Sequence, residues 1–228
     1  MINMANKDVI QEILSLIPAS VRLVAVSKTR TPDEIIEVYN EGIKDFGENK
    51  VQELSTKQPL LPSDIRWHQI GHLQTNKVKY IAPFVHLIHS VDSIKLLKEI
   101  NTQALKNDRV IDCLLQIYIA KEETKFGLSD QEAIELIEDF NNSEMKNVRL
   151  VGVMGIATYT ENEKTVRKEF KSLKQTFDQM KDLYFKNDEA FREISMGMTS
   201  DYRIAVEEGS TIVRIGTAIF GTRDYSKK

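Results

Sequence analysis

Eight short apolar runs alternate with amphipathic helical patterns along 228 residues, and no linker or low-complexity stretch divides them. That alternation implies βαβ units with parallel strand pairing. Eight such units in a chain of this length predict an α/β fold, a single (β/α)8 TIM barrel with an extra N-terminal helix. An open doubly wound sheet is the alternative, although eight strands are many for it. The predicted domain is the whole chain, residues 1–228. The composition agrees, with 41% hydrophobic and 29% charged residues, 10 glycines and 5 prolines.

The elements follow in order. Asn6 to Ile17 places Val9, Ile10, Ile13, Leu14, Leu16 and Ile17 on one helical stripe, and Pro18 ends it. Val21–Val26 reads as a buried strand. Thr31-Pro32 is a helix start, a hydroxyl residue followed by proline, and Ile35, Ile36, Val38 and Tyr39 continue it until Gly42. Further strands are expected at Asp45–Gly47, Arg66–Ile70, Leu87–Val91, Cys113–Tyr118, Arg149–Met154, Glu193–Met196 and Thr211–Ile215. Helical spacing recurs between them at Asn49–Gln58, Thr75–Ile81, Ser93–Leu105, Asp130–Phe140, Lys164–Tyr184 and Ser200–Glu208. Only the last strand lacks a convincing helix after it.

Charge and composition narrow the function classes. The 31 Lys and Arg nearly balance 34 Asp and Glu, a formal net charge of −3. That balance offers no reason to expect nucleic acid or an acidic membrane as partner. Apolar runs such as Val110-Ile111 and Leu114-Leu115 fall far short of the ~20 residues of a membrane helix. Met1 to Ile17 alternates polar and apolar residues at helical spacing, unlike a signal peptide. The single cysteine, Cys113, excludes an internal disulfide and a Cys-rich zinc site, and its apolar surroundings suggest a buried, inert thiol. A cytoplasmic setting is expected.

In a parallel barrel, function sits on the loops at the carboxyl ends of the strands. The loop Ser195-Met-Gly-Met-Thr-Ser-Asp201 carries glycine and hydroxyls and precedes a helix, and Ile215-Gly216-Thr217-Ala218 lets backbone approach an anion closely. These loops follow strands 7 and 8, where barrels often hold phosphate. Plain helix capping by Thr199 or Ser200 is the competing account. Lys28 stands directly after the first strand, where desolvation would favour a neutral, nucleophilic amine suited to Schiff-base chemistry. A lysine that merely snorkels from a strand end fits the same position.

Other chemistries find less support. His68 and His72 have i, i+4 spacing but straddle Gly71, and His86 and His89 flank a strand without ligand partners, so no metal site is expected. There is no GxxxxGK[ST] phosphate loop, and no Ser-His-Asp or Cys-His arrangement stands out. Lys77 and Lys79 read as a solvated face rather than an RNA site.

The motifs then form a familiar set: Leu23-Val-Ala-Val-Ser-Lys28, Phe46-Gly-Glu-Asn49 with Val51-Gln-Glu53, Trp67-His68 with Ile70-Gly-His-Leu-Gln-Thr-Asn-Lys77, and Ser90-Val-Asp92. Glu123-Thr-Lys-Phe-Gly127, Gly152-Val-Met-Gly155, Ser195-Met-Gly-Met198, Val213-Arg-Ile-Gly-Thr217 and Ile219-Phe-Gly221 complete it. The chain resembles the YggS/PROSC family of pyridoxal phosphate-binding proteins of vitamin B6 homeostasis, related to the N-terminal barrel of alanine racemase. The resemblance implies that Lys28 holds pyridoxal 5′-phosphate as a Schiff base. It also implies that Arg214 faces the pyridine nitrogen, that Thr199, Gly216 and Thr217 grip the phosphate, and that Asn49, His68, Ser90 and Met154 line the pocket. Three positions depart from the family pattern. Lys50 replaces a tyrosine, Gln69 an apolar or aromatic residue, and Thr199 a serine. The last keeps its hydroxyl; the other two bear on pocket lining or partner contact.

Two classes of function suit these residues. One is a non-enzymatic carrier that buffers and delivers the cofactor; the other is an enzyme such as an amino-acid racemase. An arginine at the ring nitrogen stays protonated, so the ring is a weaker electron sink. The chain ends shortly after Gly221, so no appended domain with a second catalytic residue is expected. Both points favour the carrier, with no catalytic residues assigned. A Schiff-base aldolase acting on a sugar phosphate uses the same lysine and loops. The expected partners are the cofactor and apo-enzymes that need it, and the chain is expected to be a monomer.

Overall fold

The computed structural model describes residues 7–120 and 127–222. Eight parallel strands close on themselves: β1 Arg22–Val26, β2 Asp45–Glu48, β3 Arg66–Gln69, β4 Leu87–Val91, β5 Ile111–Gln116, β6 Val148–Met154, β7 Glu193–Ser195 and β8 Ile212–Ile215. The ring shuts where β8 meets β1, with Val213 opposite Leu23 and Arg214 opposite Val24. The predicted (β/α)8 barrel is therefore what the chain forms.

Helices α1 Lys7–Leu16, α2 Pro32–Asn40, α3 Val51–Lys57, α4 Val78–Ile81, α5 Ile94–Lys106, α6 Asp130–Asn141, α7 Glu163–Tyr184, α8 Tyr202–Glu207 and α9 Thr217–Phe220 surround it. Their starts obey local chemistry. The Thr31 hydroxyl accepts from the Glu34 amide while the Glu34 carboxylate accepts from the Thr31 amide, and Ser129 with Glu132 repeats this reciprocal cap. α1 buries Ile10 and Ile13 of its expected stripe, whereas Leu14 and Leu16 are exposed.

Side chains on a strand alternate between two faces, and the core divides accordingly. Phe46, Trp67, Ile88, Cys113, Val213 and Ile215 join the helices in one large cluster. Val24, Leu87, Leu114, Val151, Met154 and Ile212 form a separate cluster inside the barrel. Cys113 is buried, and burial pushes its thiol pKa up, as expected of an inert thiol.

Several boundaries shift. The fifth strand runs two residues earlier than Cys113–Tyr118, because Ile117 and Tyr118 leave the sheet to pair with Leu128. Thr75–Ile81 splits into a 3-10 turn, Thr75–Lys77, and the single turn α4. The last strand is followed by one helical turn, α9. Asn6 lies outside the described residues. Among the described residues, no helix is long and apolar enough to cross a membrane.

Candidate functional site

The carboxyl ends of the strands surround a cavity of ≈ 390 Å³. Lys28 and Arg30 reach it from the loop after β1, Asn49 from the loop after β2, Met198, Thr199 and Ser200 from the loop after β7, and Arg214, Gly216 and Thr217 from β8 and its loop. Ile156 and the 87% exposed Tyr159 stand at its edge. Three cations line the cavity, and none of the described lining residues is acidic. In a cleft walled by apolar material, such a charge set favours an anion.

The backbone carrying Lys28 is clamped on both sides. The Ser27 hydroxyl donates to Glu48 Oε1 at 2.7 Å, and Lys57 Nζ donates to the Ser27 carbonyl at 2.9 Å. Thr29, in the left-handed region at φ 68, donates its amide to Glu53 Oε2 at 2.7 Å. Lys57 joins the two acids, with contacts of 2.8 Å to Glu48 and 3.0 Å to Glu53. Burial pushes the Glu48 carboxyl up while Lys57 and Ser27 oppose it. For Glu53, the Thr29 amide and Lys57 outweigh burial and hold its carboxyl below the usual range. A buried lysine between two carboxylates thus rigidifies the segment that presents Lys28.

Arg214 is buried on β8, where Nη1 donates to Ser195 Oγ at 2.6 Å and Nη2 to the Gly155 carbonyl at 3.0 Å. Burial pulls its pKa down to about 10, with the Asp201 charge opposing. The loop after β7 bends sharply at Gly197, φ +92, where a Cβ would stand 2.5 Å from that of Ala205. Neither Thr199 nor Ser200 caps α8. Asp201 occupies the cap position, and its carboxylate accepts from the Met198 amide, which leaves both hydroxyl residues lining the cavity.

Of the nine residues expected at the site, Lys28, Asn49, Thr199, Arg214, Gly216 and Thr217 line this cavity, whereas His68, Ser90 and Met154 do not. Met154 belongs to the apolar cluster inside the barrel. Ser90 donates to the Gly71 carbonyl at 2.6 Å. His68 is fully buried between Asp45 and His89, at 3.0 and 2.9 Å. It sits on an inward-facing strand position below the loops, and motif proximity could not separate that from a rim position. Arg30, Ser200 and Tyr159 were missed; the signal for Arg30 was its place in the same loop as Lys28.

Gln69 gains a role from its surroundings. Its side-chain nitrogen donates to the carbonyls of Asn49 and Gly71, both at 3.0 Å, stitching the second and third loops together. The backbones are so close there that a Cβ on Gly71 would fall 2.5 Å from the Asn49 oxygen. Lys50 precedes α3 without a side-chain cap. Glu123–Phe126 of the Glu123–Gly127 motif lie outside the described residues. Asp45, His68 and His86 bring potential metal-ligand atoms within 4.8 Å of one another, but Arg66 already donates to both oxygens of Asp45.

Comparisons with known proteins place the chain in a family. A family model described as alanine racemase, N-terminal domain, matches residues 5–224. A protein named pyridoxal phosphate homeostasis protein from Aquifex aeolicus (strain VF5) is 44% identical over 205 residues, 90% of this chain and 88% of its own. One of the same name from Homo sapiens is 40% identical over 218 residues, 91% of this chain and 78% of its own. The structure of PipY from Synechococcus elongatus PCC7942 with pyridoxal phosphate bound matches at TM-score 0.85 and 30% identity, covering 94% of this chain and 99% of that one. An alanine racemase from Clostridium difficile 630 shares the fold at 15% identity and TM-score 0.74, covering 94% of this chain and 58% of that one. By its family model and these relatives, the chain belongs to the pyridoxal phosphate homeostasis (YggS/PROSC) family, built on the alanine racemase N-terminal domain.

Proposed function

We propose that this chain, as one domain, binds pyridoxal 5′-phosphate on Lys28, buffers it and delivers it to apo-enzymes, without turning over amino acids itself. The observation that carries this reading is the cavity that gathers an amine, two guanidiniums and two hydroxyl-bearing loops with no acid among its described lining. These groups fit the ligand: a phosphate suits Thr199, Ser200, Thr217 and the cationic field, and an aldehyde suits Lys28. When bound, the cofactor supplies an electrophilic aldehyde, which condenses with an amine and releases one water. Lys28, presented by the clamped 27–29 segment, provides that amine. Thr217 and Thr199 hold the phosphate, and Arg214 offers N–H donors to the ring nitrogen.

The relatives' names support a homeostatic rather than catalytic role, and one related structure contains the cofactor. A cytoplasmic, monomeric protein is part of the same reading; size-exclusion chromatography of the loaded protein tests the monomer. Borohydride reduction of the protein mixed with pyridoxal phosphate is expected to fix one adduct, which peptide mapping places on Lys28. An adduct on Lys77 or Lys125, or none, overturns the assignment. Loaded protein mixed with an apo-aminotransferase is expected to restore its activity, while incubation with L-alanine yields no D-enantiomer and no keto acid. Turnover on the order of 1 s⁻¹, within the ordinary enzymatic range, would establish the racemase-like alternative instead.

A further inference from the structure

A line of polar side chains, buried from Asp45 to Arg214, crosses the barrel interior beneath the cavity. Arg66 Nε donates to Asp45 Oδ1 at 2.8 Å, and His68 Nε2 lies 3.0 Å from the same oxygen. His68 Nδ1 lies 2.9 Å from His89 Nε2, and His89 Nδ1 lies 2.9 Å from Ser195 Oγ. Ser195 Oγ accepts from Arg214 Nη1 at 2.6 Å. His68, His89 and Ser195 are fully buried, so water cannot substitute for a missing partner.

The chemistry of the two ends dictates the direction of every link. A guanidinium only donates and an ionised carboxylate only accepts. Burial pushes both imidazole pKa values down, with the Asp45 charge opposing at His68. With both rings neutral, one arrangement satisfies all atoms. Arg214 donates to Ser195, Ser195 donates to His89 Nδ1, His89 Nε2–H donates to His68 Nδ1, and His68 Nε2–H donates to Asp45. Each ring then carries its proton on Nε2. A charged His68 would reverse the middle of the line, giving His89 its proton on Nδ1.

We propose that Asp45, His68, His89 and Ser195 form a one-way hydrogen-bond relay that fixes the placement of Arg214 at the cavity floor. The Ser195 lone pair is turned to Arg214 because its proton is committed to His89. With Nη2 fixed on the Gly155 carbonyl, the guanidinium is held at two points. These are positioning residues, and none of the four lines the cavity. The selectivity that reads the placement of Arg214 rests on the binding reading above; the relay itself does not.

Nitrogen-15 NMR of histidine-labelled protein without ligand tests the relay directly. Neutral rings protonated on Nε2 at both His68 and His89 are expected at neutral pH; an Nδ1–H tautomer at His89 or a charged His68 overturns it. Selectivity is then read by titrating pyridoxal 5′-phosphate against its N-methylpyridinium analogue. The wild type is expected to bind the analogue ~10–100-fold more weakly, the size of a buried unsatisfied donor. His89→Leu is expected to narrow that ratio to within about threefold, while His89→Gln, whose amide keeps one donor and one acceptor, restores it. An unchanged ratio in His89→Leu refutes the positioning role. Should His89→Leu not fold, the wild-type tautomers still decide. If the wild type binds neither compound, the binding reading fails and the tautomers alone judge the relay.

Discussion

The barrel has a cavity at each mouth, of ≈ 390 Å³ at the carboxyl end and ≈ 360 Å³ at the amino end. Both are lined by arginines, yet their charges are organised differently. At the amino end Arg149 pairs with Asp112 at 2.8 Å, and Arg22 and Arg192 both approach Glu193, at 3.6 and 3.8 Å. Its lining carries three arginines and three acids, so the pairs cancel locally. At the carboxyl end Lys28, Arg30 and Arg214 share the lining with no described acid, and Arg214 spends its hydrogen bonds on a hydroxyl and a carbonyl. Equal volume and similar residue types therefore give one neutral, structural mouth and one anion-seeking mouth. What separates them is the placement of carboxylates, not the number of cations.

The largest expected effect separates the two mouths outright. Lys28→Ala is expected to abolish the borohydride-stable adduct, while Arg192→Ala at the opposite mouth leaves it unchanged; equal loss in both erases the distinction drawn here. Next in size is Asp45→Asn. Burial raises the Asp45 carboxyl, but hydrogen bonds from Arg66 and His68 win and hold it well below the carboxylate range. An amide there turns its NH2 toward one of the two donors, and urea unfolding is expected to show a loss of about 1–3 kcal/mol. Asp112→Asn, breaking an exposed pair, is expected to cost at most ~1 kcal/mol.

A pH titration sharpens the same contrast. His68, His86 and His89 all have pKa values lowered by burial, His86 to about 4. Below the ordinary value of 6.5 the unfolded rings bind protons that the folded rings refuse, so stability rises with pH in that window. Their contribution is complete above pH 6.5 and lost as pH falls toward 4. Each ring steepens the slope by up to about 1.4 kcal/mol per pH unit. His89→Gln is expected to flatten the profile between these limits; an unchanged slope would show that His89 is not buried neutral. A local effect is expected at Gly197→Ala, where φ +92 and the nearby Ala205 methyl oppose a side chain. A cost of about 1–3 kcal/mol is expected, with weaker phosphate binding because Met198–Ser200 shift.

Much of the cavity lining was legible because its residues end or directly follow recognisable strands. Lys28, Asn49, Thr199, Arg214, Gly216 and Thr217 each follow or end an apolar run, and parallel closure alone brings such positions to one mouth. His68 and Met154 stand outside the cavity lining for a geometric reason. They share motifs with loop residues, but His68 is buried against Asp45 and Met154 packs in the apolar cluster inside the barrel. Ser90 lies outside the lining too, with its hydroxyl donating to the Gly71 carbonyl.

The sequence by itself determined the alternation of elements, the helix start at Thr31, the burial of Ile10 and Ile13 on α1, and the lysine and glycine-bearing loops that face one end. All of these depend on residues a few positions apart, and local spacing is what a sequence displays. Only the tertiary structure decided which charges meet. The Ser27–Glu48–Lys57–Glu53 clamp spans up to 30 residues, and Ser195 meets His89 across 106. Such pairings are set by strand register around a closed ring. One residue of slip would turn each inward side chain outward, so the polar line from Arg214 to Asp45 exists only once the barrel has closed.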